Sequence, residues 1–146
     1  MTERVYVTAV LEGPIEETWK ILRDFNGLPD YHPMFASSHI EDGKPADQIG
    51  CVRNFKDHQG GQIREQLLAL DDRARRCLYS ILESPMPLWN YVAELRLLPI
   101  TDGARCYAEW TADFECAEAD AATLVDTVGN GVFQGGFDAL KQRFAA

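Results

Sequence analysis

The chain is expected to fold as an α+β protein, with a seven-stranded curved antiparallel sheet wrapped around a long C-terminal helix and two short helices after the first strand. Three observations predict this. Apolar and polar residues alternate in short runs between Arg4 and Phe114, as half-buried strands require. Turn residues separate the runs at short intervals, as antiparallel neighbours require. From Ala117 to Phe144 the period becomes helical, and Leu124, Val125, Val128, Val132, Phe133, Phe137, Leu140 and Phe144 form one stripe. A half-buried sheet must cover its apolar face, and only this last segment is long enough to do so.

Val5, Val7, Ala9 and Leu11 alternate with Arg4, Tyr6, Thr8 and Val10, giving the first strand. Gly13-Pro14 ends it and opens a helix whose apolar face is Ile15, Trp19, Leu22 and Phe25, with Glu16 and Glu17 at its positive end. Asn26-Gly27 stops that helix, and a second helical segment is expected from Leu28 to Phe35. Strands follow over Ser37–Glu41, Cys51–Lys56, Gln62 to about Leu70, and Arg75–Glu83. The hairpin loop Asp57-His58-Gln59-Gly60-Gly61 joins the second and third of these. Ser84-Pro85-Met86-Pro87 breaks the chain. Trp89, Tyr91, Ala93, Leu95 and Leu97 then mark one face of a long strand, and Ala104–Phe114 is the last. Gly129, Gly131, Gly135 and Gly136 interrupt the final helix, each costing roughly 1 kcal/mol against alanine. Close packing, a kink or room for a ligand would each offset that cost.

A length of 146 residues suits one domain spanning 1–146. With 46% apolar and 25% charged residues the chain is of the globular class. A net charge of -9 disfavours nucleic acid and anionic membrane surfaces as partners. No apolar run approaches a membrane span, and the start, Met-Thr-Glu-Arg-Val-Tyr-Val, lacks a basic region followed by an apolar core, so no secretory signal is expected there. Cys51, Cys77, Cys106 and Cys116 are scattered, so they are expected to be reduced packing residues in a cytoplasmic protein. His39 and His58 stand apart from other ligand types, and no metal site and no cofactor is expected. Hydrolase, nucleotide and dinucleotide motifs are absent.

The chain carries one anomaly. In Gln62-Ile63-Arg64-Glu65-Gln66-Leu67-Leu68-Ala69, alternation puts Glu65 on the face of Ile63, Leu67 and Ala69. A carboxylate turned inward needs a partner, a proton or a wet pocket. The hairpin brings Arg53, on the face of Phe55, opposite Glu65 or diagonal to it. Either a partly buried ion pair or a ligand-orienting acid/base pair results. Tyr79 and Tyr91 are expected inward, each an apolar body whose hydroxyl needs a partner.

Ile49-Gly50-Cys51-Val52-Arg53, Arg64-Glu65-Gln66-Leu67-Leu68-Ala69-Leu70-Asp71-Asp72, Leu78-Tyr79-Ser80-Ile81, Asn90-Tyr91 and Tyr107-Ala108-Glu109-Trp110, in this element order, resemble the SRPBCC or START-like helix-grip superfamily. That superfamily includes START lipid-binding domains, the birch pollen allergen and the polyketide cyclase/dehydrase proteins. The segments are similar to its bacterial polyketide cyclase-like branch and to the plant abscisic acid receptors. The resemblance implies a cavity for an apolar or amphipathic molecule, with polar positions at Glu65, Tyr91 and Glu109. Strand alternation instead turns Glu109 outward with Tyr107, and the two indications stay opposed. The receptors' ligand-pairing lysine falls on His32, near the expected mouth. Their gate and latch are replaced by His58-Gln59-Gly60-Gly61 and Pro87-Leu88-Trp89, which argues against hormone sensing.

The expected function is binding of a hydrophobic or amphipathic, lipid- or polyketide-like small molecule. Arg53, Glu65, Tyr79, Tyr91, Glu109 and His32 would be its polar contacts, and Phe55, Ile63, Ile81, Val128 and Val132 its wall. The alternative is a cyclase, aromatase or dehydratase, with Glu65 as acid or base and Arg53 or Tyr79 stabilising an enolate. A module whose groove takes a lipid or peptide is a third possibility. Oligomeric state is left open.

Overall fold

A computed structural model describes residues 2–145. Seven antiparallel strands form one open sheet: β1 (Thr2–Leu11), β2 (Phe35–Ile40), β3 (Val52–Asp57), β4 (Gln62–Asp71), β5 (Arg76–Glu83), β6 (Leu88–Ile100) and β7 (Arg105–Cys116). Their order across the sheet is β1-β7-β6-β5-β4-β3-β2. Helices α1 (Ile15–Leu22) and α2 (Leu28–Tyr31) link β1 to β2. The second helical segment is thus a single turn, because Pro33 cannot continue it. This is the helix-grip architecture, with the C-terminal helical segment on the inner face of the sheet.

That segment is not one α-helix. It runs as α3 (Ala121–Asp126), a π-helical stretch Thr127–Gln134, and α4 (Gly135–Ala145). The wider π turn falls where Gly129 and Gly131 weaken the α-helix. A Cβ on Gly129 would lie 3.2 Å from Val5, and one on Gly136 would lie 3.0 Å from Trp110 and 3.1 Å from His32. These glycines therefore let the helix approach the sheet. The stripe Leu124, Val128, Phe133, Phe137 and Leu140 is buried against Val5, Leu11, Leu95, Leu97, Trp110 and Phe114. Trp110 stacks on Phe133 at 4.5 Å between ring centres.

Bulges bend the sheet at β4 between Leu67 and Ala69, and at β6 between Trp89 and Val92. The second has a consequence that alternation alone does not show. Asn90 takes a left-handed φ of 53°, and Trp89 swings out to 51% exposure instead of joining Tyr91 inside. Strands β5 and β6 pair only from Arg76↔Arg96 to Ser80↔Val92. Beyond that point Ile81 and Glu83 pair with β4, while Leu88 and Trp89 pair with β7. The sheet is split there, and Ser84–Pro87 spans the gap.

Candidate functional site

Arg53 on β3 stands directly opposite Glu65 on β4. Both are about 6% exposed. The Arg53 Nε–H and Nη2–H groups both donate to Glu65 Oε1, at 2.8 and 2.6 Å. Arg53 Nη1–H donates to the Phe25 carbonyl at 3.2 Å, just past the end of α1. The guanidinium lies 4.2 Å from the ring centre of Phe25 and 4.8 Å from that of Tyr79, so aromatic faces take up part of its desolvation. Burial works against the guanidinium's charge, but Glu65 outweighs it and Arg53 holds its proton even more firmly than usual. Burial pushes the Glu65 carboxyl above the ordinary range, against the pull of Arg53.

The other polar groups converge on this pair. Tyr79, on β5, accepts a hydrogen bond from Trp110 Nε1–H at 2.9 Å. Tyr91, on β6, packs 6.4 Å from Tyr79, centre to centre. Burial raises the pKa of both phenols, so they stay protonated. Arg53, Glu65, Tyr79 and Tyr91 surround a small hollow together with Phe55, Ile63, Ile81, Val128 and Val132. Leu28, Phe35, Met86 and Trp110 complete the wall, and the sequence reading did not include them. Trp110 had a legible signal, its place on the apolar face of β7. Leu28, Phe35 and Met86 come from short or irregular segments that have none.

The hollow measures about 30 Å³, room for roughly one water molecule. The ligand cavity that the resemblance implies is closed in this structure by the aromatic side chains and Met86. At the split between β5 and β6, a surface groove of about 630 Å³ is lined by Gln62, Glu83, Ser84 and Asn90 as well as Ile81, Leu82, Leu88 and Trp89. Ile81 borders both spaces.

Two expected contacts lie elsewhere. Glu109 is on the outer face of the sheet, where Tyr6 donates to it at 3.3 Å, so the alternation of β7 prevails over the resemblance. His32 is buried, but it does not border the hollow. Its Nδ1 accepts from Met34 N–H at 3.2 Å, so Nε2 carries the proton and donates it to the Val132 carbonyl at 2.7 Å. His32 thus pins α2 to the π-helical stretch. Burial lowers its pKa, despite the bond to Val132, and keeps it neutral. Among the described residues no group of three His, Cys, Asp or Glu is placed to hold a metal ion. No described helix is long and apolar enough to cross a membrane.

Comparison with known proteins places this geometry. A family model described as polyketide cyclase / dehydrase and lipid transport matches residues 2–145. A protein solved from Thermobifida fusca is 28% identical with a TM-score of 0.88, over 97% of this chain and 93% of that one. The protein XoxI from Bacillus cereus is 27% identical with a TM-score of 0.87, over 97% and 95%. The Zhui aromatase/cyclase from Streptomyces sp. R1128 shares the fold, at 18% identity and a TM-score of 0.80, over 99% and 94%. No curated protein matches by sequence.

Proposed function

Since the chain belongs to the polyketide cyclase / dehydrase and lipid transport family, we propose that it binds a small apolar or amphipathic molecule between sheet and helix. Arg53, Glu65, Tyr79 and Tyr91 orient that molecule, and the aliphatic and aromatic wall supplies affinity. The observation that carries this reading is the buried Arg53–Glu65 pair at the edge of the hollow. Apolar residues of similar volume serve stability as well as a buried ion pair or better. A pair retained beside a space, with two phenols near it, fits recognition.

Ligand sites commonly enclose a few hundred Å³, so the wall must part on binding. One place favours that. Met86, on the loop across the β5–β6 split, is a flexible side chain that can leave the hollow without unpairing a strand. A thermal-melt screen of uncharged lipophilic compounds tests the reading. Stabilisation that rises with ligand concentration is expected, and its absence across the whole set would refute the reading.

The raised pKa of Glu65 favours a second reading, in which the carboxyl acts as acid or base on a bound substrate. Glu65→Gln separates the two. Retained affinity with lost turnover supports catalysis, and a ligand recovered unchanged from both proteins supports binding alone.

A further inference from the structure

The donors and acceptors around the hollow are unevenly used. All three of Arg53's hydrogen bonds go to protein oxygens: two to Glu65 Oε1 and one to the Phe25 carbonyl. Glu65 Oε1 therefore takes both bonds of the pair. Glu65 Oε2 takes none among the described residues, and it is not one of the sealed polar atoms without a partner. Glu65 borders the hollow, and Oε2 is the carboxylate oxygen left without a protein donor among the described residues. Among the described residues, Arg53 and Glu65 are the only charged side chains in the wall, and their charges cancel.

We propose that the bound molecule is an uncharged alcohol or phenol that donates its hydroxyl proton to Glu65 Oε2, and that carboxylates are rejected. This rests on the binding reading and narrows it. A ligand carboxylate would place a second negative charge beside Glu65, whose own charge already balances that of Arg53, leaving a buried charge unbalanced. An ammonium would leave the opposite charge unbalanced. A plain hydrocarbon would cover Oε2 and strip it of water without replacing the bond. A hydroxyl satisfies the oxygen and adds no charge, and a hydrogen bond to an ionised acceptor is among the stronger kinds.

Three probes built on one ring system decide this with the wild-type protein at pH 7: naphthalene, 2-naphthol and 2-naphthoate. Binding is read from ¹⁵N spectra through the indole N–H of Trp110, which is bonded to Tyr79 beside the hollow. The indole of Trp19, bonded to Asp72 and absent from the wall of the hollow, serves as an internal control. 2-Naphthol should bind at least about tenfold more tightly than either other probe. In Glu65→Gln that preference should shrink. If the variant does not fold, the wild-type series still decides. Naphthalene or 2-naphthoate binding as tightly as 2-naphthol would overturn the hydroxyl requirement while leaving the binding reading intact. If none of the three moves the Trp110 signal up to its solubility limit, the binding reading fails, and this inference fails with it.

Discussion

Replacing Arg53 with Met tests whether the ion pair is a cost that the fold carries. The substitution keeps most of the side-chain volume and the packing against Phe25 and Tyr79. It removes both bonds to Glu65 and the one to Phe25. Glu65 is then a buried carboxylate without a counter-ion, and breaking such a pair from one side costs about 3–5 kcal/mol. For a chain of this size that corresponds to a fall of roughly 10–20 °C in Tm. The double variant Arg53→Met with Glu65→Leu removes both charges together. It should return to within about 1 kcal/mol of wild type, or exceed it, because neither desolvation cost remains. Urea denaturation of wild type, both single variants and the double variant closes the cycle. The reasoning fails if Arg53→Met costs less than about 1 kcal/mol, since the pair would then be wet. It also fails if the double variant loses as much as the two single losses combined.

Other predictions follow from neighbouring contacts. Tyr79→Phe leaves the buried Trp110 indole N–H without its acceptor, and should cost about 1–3 kcal/mol in the same urea assay. Gly136→Ala should destabilise by about 1–3 kcal/mol despite alanine's better helix propensity, because the new methyl would crowd Trp110 and His32. His32 has its folded-state pKa lowered, so its contribution is fully present above its unfolded pKa of about 6.5. Below that the unfolded chain binds the extra proton, and stability falls with pH down to the folded-state value, with a limiting slope of about 1.4 kcal/mol per pH unit. His32→Gln should remove that part of the profile between pH 6.5 and the folded-state value.

The seven strands and their antiparallel character were legible because most of each strand alternates and each turn carries its own residues; the order across the sheet was not read from the sequence. The inward placement of Glu65 and its partnership with Arg53 followed from the same alternation and from a short hairpin. The π-helical stretch was not legible as such. Its glycines signalled a local weakness, but the choice of hydrogen-bond pattern depends on how closely Val5 and Met34 press from other elements. Trp89 defeated the alternation rule because one residue, Asn90, adopts a left-handed φ that inserts a bulge. Glu109 shows the opposite case, where local alternation gave the right face and distant resemblance the wrong one. The closure of the hollow lay beyond the sequence, since it depends on how Met86, Tyr91 and Trp110 fill space together.

The central claim is that the space beside Arg53 and Glu65 opens to admit a small molecule. Native mass spectrometry of protein freshly purified from its own cells tests this most directly, because a retained ligand reports its own mass. The account predicts a one-to-one adduct of a compact, uncharged molecule, released on denaturation and absent from the Arg53→Met, Glu65→Leu protein. A single unliganded mass from native cells, persisting after incubation with a lipophilic extract of those cells, would contradict it.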